Sequence, residues 1–360
     1  MLKMWTQMES LGFDSWFANH FEQNNSNGFD AARVTAVNKN NYLVSNDLNE
    51  IKGELTGKFL FDADSQIDFP TTGDWVYVQY FDDNTFAVIH DIFPRKSLLK
   101  RKSSGKKIDY QLIAANIDTA FIVQSLDDNF NLRRLERYIA MITESKITPV
   151  VLLSKTDLMN TDEIKSKVEE IDKLMPEIHL IPFSNENEYG LSEINELLIP
   201  AKTYCLLGSS GVGKTTLLNN LLKKEVLETK EVREKDGKGK HTTTRRQLLK
   251  LKNGALIIDT PGMRELGNFD IESGLNETFD EIASLAYNCK FNDCTHTNEK
   301  GCAILDALEN GSITKERLAN YIKMKKESEH YNRSYHQKRK HDKDLGKLYK
   351  SILSENRKYK

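Results

Sequence analysis

Residues Gly208-Ser209-Ser210-Gly211-Val212-Gly213-Lys214-Thr215 fit the pattern G-x-x-x-x-G-K-[ST], and this octapeptide constrains the surrounding fold more than any other feature. The pattern works only between a buried strand and a helix. Its glycines let the backbone turn N–H groups inward around a β-phosphate, and the helix N-terminus adds favourable partial charge. The flanking sequence meets that demand, with an apolar run at 204–207 and a helical run at 216–223. Lys214 would reach the β and γ oxygens of a nucleotide, and Thr215 would ligate Mg2+.

Further apolar runs at 119–123, 148–153, 178–182, 203–207 and 255–258 read as strands buried on both faces, with helical patterns such as 132–145 and 161–174 between them. That alternation predicts a parallel sheet wrapped by helices. Asp259-Thr260-Pro261-Gly262 closes the last of these strands. An acid there can hold the Mg2+ shell through water, and the Gly262 amide can approach a γ-phosphate closely. Ser154-Lys155-Thr156-Asp157 follows another strand end. Guanine presents two donors on one edge, N1–H and the N2 amine, which one carboxylate accepts together, whereas adenine would leave that carboxylate unpaired. Asp157 therefore selects guanine, with the stem of Lys155 along the base plane. The bland alternative is capping: Asp157 could cap a short turn before Thr161, and Thr161 could cap the next helix.

Ahead of this region, alternating segments at 33–37, 42–44, 54–60, 74–80 and 86–92 are separated by turn-forming stretches at 38–41, 71–73 and 82–84. Short strands without helical period between them predict a small closed, OB-like barrel, an architecture that often binds oligonucleotides. Charge supports a polyanionic partner. The net charge of −2 conceals a tail at 312–360 with 15 Lys/Arg against 6 Asp/Glu, about +9, which leaves about −11 for the remainder. Arg95, Lys96, Lys100, Arg101, Lys102, Lys106 and Lys107 form a second basic cluster without an acid. With 39% hydrophobic and 29% charged residues, and no apolar run near the ~18 residues a membrane span needs, neither secretion nor membrane insertion is expected. A cytoplasmic location follows.

Three of the four cysteines fall within fourteen positions, too few for a disulfide framework and too clustered for chance. Cys289-x4-Cys294-x-His296-x5-Cys302 supplies three thiolates and an imidazole, the set that closes a tetrahedral structural zinc. Such a site would stabilise a short loop-rich segment. Cys205, within the strand before the phosphate loop, reads as a buried small apolar residue.

Small GTPases carry the phosphate loop first, D-x-x-G next and the base motif afterwards. Here the base motif at 154 precedes the phosphate loop at 208 and the D-x-x-G at 259, so the domain looks circularly permuted. With a barrel ahead and a Cys/His window behind, the chain resembles the RsgA (YjeQ) family of small ribosomal subunit biogenesis GTPases over nearly its whole length. The resemblance implies GTP hydrolysis, one structural zinc, Mg2+ with GTP, and a role in late maturation of the 30S subunit through its 16S rRNA. It also implies a three-part fold: an OB-like barrel with basic linker over 1–107, a circularly permuted α/β P-loop GTPase domain over 108–268, and a mainly helical zinc-binding domain with basic tail over 269–360. Carried over by position, Gly208 to Thr216 is similar to the family's phosphate loop and Asp259 to Gly262 to its D-x-P-G. The stretch from Gly239 through Lys240, His241 and Thr242 to Thr243 and Thr244 looks like its first switch, with Thr243 the favoured Mg2+ ligand among the three threonines. Ser184-Asn185 stands where a backbone contact to the guanine oxygen is expected, in place of the common Ser-Ala. Ser154 replaces the usual Asn of the base motif, and a hydroxyl makes fewer hydrogen bonds than an amide.

Met263 occupies the position where many GTPases use Gln to orient the attacking water. A thioether cannot do that, so slow intrinsic hydrolysis is expected, with His241 the candidate for holding the water. His241 as plain exposed loop, or as a partner contact, stands beside that reading. Permutation sends the second switch, 263–269, directly into the zinc segment and tail, so nucleotide state can bias the tail's orientation. Two competing readings remain: a P-loop ATPase acting on nucleic acid, and a non-enzymatic RNA-binding scaffold with a vestigial nucleotide site. A monomer is expected, because no long heptad pattern is present.

Overall fold

The computed structural model describes residues 8–24, 28–38, 41–46, 49–102, 110–222, 246–259, 272–291 and 293–332. His241, Thr243, Gly262, Met263 and the stretch 333–360 of the basic tail lie outside the described residues. The chain divides into two compact units, one of Met1–Lys100 with Leu112–Gly267 and one of Arg101–Gln111 with Asn268–Lys360.

The first unit opens with a helix, α1 (Ser15–Asn24), followed by β1 (Asp30–Val37), β2 (Tyr42–Ser45), β3 (Glu50–Leu55), α2 (Gly57–Asp62), β4 (Trp75–Phe81) and β5 (Phe86–Ile92). The strand order β1-β2-β3-β5-β4, closed by β4 pairing back onto β1, is a five-stranded barrel. Its β3–β5 contact is parallel and its β1–β4 contact antiparallel, the Greek-key closure of an OB fold. Inward positions Ala32, Val34, Val44, Ile51, Val76, Val78, Ala87 and Ile89 fill the interior. Register shifts at Val34/Ala36 and Tyr77/Val78 supply the local bending that closure requires. Phe13, Phe17 and Phe21 of the N-terminal segment cover one side of the barrel, with the Phe13 ring 4.7 Å from Trp75 and the Phe21 ring 5.9 Å from Phe93.

The strand expected over 54–60 is corrected: the strand ends at Leu55 and a helical turn replaces its second half. Thr56 accepts the Phe59 amide at 3.1 Å through its hydroxyl, an N-cap that outcompetes the extended pattern suggested by the alternation of Leu55, Gly57 and Phe59.

After a two-stranded ribbon of β6 (Leu98–Lys102) and β7 (Tyr110–Ala115), the chain builds the second sheet. Its elements are β8 (Thr119–Ser125), α3 (Leu132–Glu144), β9 (Thr148–Ser154), α4 (Thr161–Leu174), β10 (His179–Pro182), α5 (Leu191–Leu197), β11 (Thr203–Leu207), α6 (Lys214–Leu222), β12 (Gln247–Lys250) and β13 (Leu256–Asp259). The order β10-β9-β8-β11-β13 is parallel throughout, as expected. Unforeseen is β12, which runs antiparallel to β13 and also meets β1 of the barrel at Ala36↔Gln247. Eleven strands thus form one continuous sheet among the described residues.

Arg33 of β1 locks the barrel to the second sheet. Only 1% exposed, it donates to Gly73 O at 3.2 Å, Asn116 O at 3.2 Å, Thr203 Oγ1 at 2.9 Å and also to Leu11 O. Burial lowers its pKa to about 10, against the opposing pull of Asp118, Asp74 and Asp14, so the guanidinium stays charged at neutral pH. Arg95, placed above among the basic cluster, is likewise committed internally. It grips buried Asp74 through Nε and Nη2 at 2.8 Å each, and donates to Ile67 O and Phe69 O. Lys96 pairs with Asp14. A bidentate Arg–carboxylate pair removed from water is structural glue, so Arg95 contributes no free charge to a polyanion-binding patch.

The second unit contributes α7 (Glu272–Thr278), α8 (Asp280–Ala286), α9 (Ala303–Glu309) and α10 (Lys315–Asn332). Buried Arg317 ties α10 to α7 and α8, donating to Glu281 Oε1 at 2.7 Å and Thr278 O at 2.8 Å over the Phe279 ring. Among the described residues no helix is long and apolar enough to cross a membrane.

Candidate nucleotide site and metal centre

In a parallel sheet every strand delivers its carboxyl end to the same edge. That edge gathers the turn after β8, the base motif after β9, Ser184-Asn185 after β10, the phosphate loop after β11 and Asp259 at the end of β13. Strand order reverses between β8 and β11, the switch point where open α/β sheets leave a ligand crevice.

The phosphate loop requires its glycines. Gly208 has φ +141°, and a Cβ there would lie 2.2 Å from Val123 O; Gly213 has φ +89°, and a Cβ there would lie 2.8 Å from Asn185 Nδ2. Lys214 begins α6, with Nζ hydrogen-bonded to Gly208 O at 2.8 Å and Ser209 O at 2.5 Å. Thr215 is exposed at the helix start, and Thr216 half-buried beside it. Burial raises the Asp259 carboxyl above its usual range, opposed by the Lys214 ammonium.

Two expected base-site residues, Ser154 and Asn185, bond directly to this loop. Ser154 is fully buried and donates to Val212 O at 2.8 Å, so its hydroxyl pins the phosphate loop to the end of β9. Lys155 adopts a left-handed backbone (φ +64°) ahead of a 3-10 turn over Thr156–Leu158. Asp157, exposed in that turn, accepts the Ser184 hydroxyl. Asn185 donates to Gly213 O at 3.2 Å and accepts from Asn220 Nδ2 at 3.2 Å. Ser184-Asn185 therefore links the Asp157 carboxylate to the phosphate loop. Neither capping alternative is found: Asn160 caps α4, in a reciprocal box with Glu163.

Sequence reasoning missed the turn after β8. Asn129 Nδ2 donates to Ser209 Oγ at 3.1 Å, and Asp127 Oδ2 accepts Lys155 Nζ at 2.7 Å. The available signal was position, since each neighbouring strand end carries a motif and Asp127-Asp128-Asn129 lies one residue beyond β8.

Cys289, Cys294, His296 and Cys302 place their ligand atoms within 4.8 Å of one another. Cys289 Sγ lies 3.7 Å from His296 Nδ1 and 3.9 Å from Cys302 Sγ, and Cys302 Sγ lies 3.5 Å from His296 Nδ1. Zinc bonds of about 2.3 Å to sulfur and about 2.0 Å to nitrogen require tetrahedral edges of about 3.8 and about 3.5 Å, so the donor set fits zinc. Burial keeps His296 below its usual pKa, helped by Lys325, which favours the neutral, ligating imidazole. The Glu299 carboxylate orders the surrounding loop by accepting the amides of Thr295, Thr297 and Asn298. Cys205 is buried and apart from the cluster, as expected, and burial pushes its thiol pKa up.

The family model for the RsgA GTPase matches residues 92–269. A small ribosomal subunit biogenesis GTPase RsgA 2 from Lactiplantibacillus plantarum is 44% identical over 301 residues, 84% of either chain. The chain belongs to the RsgA GTPase family. An RsgA 1 from Bacteroides thetaiotaomicron is 38% identical over 97% of this chain and 98% of its own. The crystal structure of YjeQ from Thermotoga maritima superimposes with a TM-score of 0.61 at 28% identity, covering 83% of this chain and 98% of that one. The RsgA architecture accounts for the motif order, a circularly permuted GTPase fold behind a closed five-stranded barrel.

Proposed function

We propose that this GTPase binds the small (30S) ribosomal subunit in the cytoplasm, assists its late maturation, and hydrolyses GTP to GDP and phosphate at a rate raised by the subunit. The observation that carries the reading is convergence: Asp157, held by Ser184, and the phosphate loop, held by Ser154 and Asn185, share one edge of the sheet. In the proposed complex Asp157 accepts the two guanine donors, Lys155 lies along the base, and Ser184-Asn185 faces the guanine oxygen. Gly208 to Thr216 cradle the phosphates with Lys214. Thr215 and Asp259, with Thr243 and Gly262 from outside the described residues, would hold Mg2+ and the γ-phosphate; magnesium there neutralises charge that develops on the phosphate oxygens. His241 would orient the attacking water. The Cys/His centre would hold one structural zinc, and the barrel with linker (1–107) and the C-terminal part (269–360) would grip 16S rRNA while the GTPase domain (108–268) hydrolyses GTP. The proposed working form is a monomer.

Phosphate release measured with and without purified 30S particles tests the reading. A rise of about tenfold or more is expected, as when a partner completes a GTPase site; equal rates would refute subunit activation. The base assignment has its own test. Asp157→Asn should weaken GDP binding by about a hundredfold or more, because an amide opposes one guanine donor with another, and should favour xanthine nucleotides, whose edge offers a donor and an acceptor. Unchanged guanine preference in a competition assay would remove Asp157 from base recognition.

A further inference from the structure

The turn between β8 and α3 belongs to none of the recognised motifs, yet it touches two of them. Asp127 is built into this turn as a rigid acceptor. One carboxylate oxygen receives the Ser125 hydroxyl at 2.6 Å and the Asn129 amide at 3.1 Å, and the other receives Lys155 Nζ at 2.7 Å. Burial alone would raise the Asp127 pKa, but Lys155, Ser125 and the Asn129 amide outweigh it and hold the carboxyl below its usual range. It is therefore ionised wherever the protein is folded near neutral pH.

The same turn is anchored to the phosphate loop. Asn129 donates through Nδ2 to Ser209 Oγ, and its carbonyl and side-chain oxygens accept Arg134 Nη2 from α3. Arg134 also reaches Gln124 Oε1 at 3.3 Å, at the end of β8. Lys155 stands in a backbone region that costs a non-glycine residue free energy. Such a conformation persists only when its surroundings hold it, and here the ion pair to Asp127 and the bond from Leu158 N to Lys155 O do so. A free lysine side chain samples many rotamers, and fixing its ammonium removes most of that freedom before any ligand arrives.

We infer that Asp127 is a positioning residue of the guanine site: by clamping the Lys155 ammonium, it sets the aliphatic stem of Lys155 against the plane where the base lies. The inference rests on the guanine reading proposed above and deepens it. Asp127 touches no part of the nucleotide in this arrangement. Its effect passes through Lys155 and is seen in base affinity and dwell time.

A double-mutant cycle on the full-length, zinc-loaded chain tests this, using Asp127→Asn, Lys155→Met and the double variant. Asn keeps the shape of Asp127 without its charge, and Met keeps an apolar stem without the ammonium. With a fluorescent GDP as probe, each single variant should bind roughly three- to tenfold more weakly, the scale of a charge-assisted bond that is partly solvent-exposed. The loss should appear mainly as faster dissociation, and the double variant should be no weaker than Lys155→Met alone. Asp127→Glu should recover part of the loss. Melting temperatures of the single variants within a few degrees of wild type would show that affinity changed without loss of fold. Wild-type affinity in Asp127→Asn, or losses that multiply in the double variant, would overturn the role of Asp127 while leaving the guanine site standing. Wild-type protein that binds fluorescent ADP as well as fluorescent GDP would instead overturn the guanine reading, and this inference with it.

Discussion

Lys214→Ala is expected to lower GTP turnover by at least a hundredfold while leaving the fold intact. The Lys214 ammonium lies at the mouth of the phosphate loop, bonded to the carbonyls of Gly208 and Ser209, the position from which it would exchange those carbonyls for β- and γ-oxygens. Removing one preorganised donor to a developing phosphate charge costs about 10²–10³ in rate. Lys214→Arg should fail as well, because a planar guanidinium cannot replace a compact ammonium inside a loop whose carbonyls already approach within hydrogen-bond distance. Stability should change little. Lys214 is half-buried at the start of α6, and the core beneath it, Leu217, Leu218 and Leu221, is untouched. Single-turnover phosphate release together with a thermal melt decides the matter; turnover within tenfold of wild type would remove Lys214 from the chemistry.

Stripping zinc should unfold the loop between α8 and α9 and leave the nucleotide site working. Across Tyr287 to Cys302 the described backbone makes few internal bonds, such as Lys290 N to Gly301 O and Cys294 N to Phe291 O. What is buried there is chiefly Cys294, His296 and Cys302, polar ligands that do not make a hydrophobic core. Structural zinc supplies roughly 10–16 kcal/mol in isolated zinc-finger peptides. Loss of even ~2 kcal/mol would lower the melting temperature of a unit this small by on the order of 10 °C. Elemental analysis should therefore find one zinc per chain, cobalt should replace it with thiolate absorption bands, and a chelator or Cys302→Ser should lower the first calorimetric transition by that amount. Fluorescent GDP should bind the stripped protein as before, since the phosphate loop rests on its own core of β8, β9, β11 and α6 side chains. A chain that melts identically with and without metal, and binds none, would end the zinc assignment.

Motifs whose chemistry is local were legible in advance. A loop that cradles phosphate must have glycine where φ is positive and lysine at the helix start, whatever surrounds it. Closely spaced Cys and His residues converge because the chain between them is too short to do much else, and alternating strands announce a barrel through burial on one face. The same local rule explains one error, the strand expected over 54–60, where the Thr56 cap decided between two conformations that the apolar pattern could not separate. The base motif was legible as a candidate, and the structure gives the helix cap that competed with it to Asn160.

What tertiary structure alone decided are pairings between residues far apart in the chain. Arg33 reaches Thr203, and β12 joins the barrel through Gln247 and Ala36. Ser154 holds Val212, Ser184 holds Asp157, and Asp127 holds Lys155. Arg95 looked like free positive charge and is consumed by buried Asp74. Sequence carries each side chain's capacity to bond but not its address. A donor's partner is set by which strand ends the sheet order brings together, and that order follows from burying apolar faces across the whole unit rather than from any neighbouring residue.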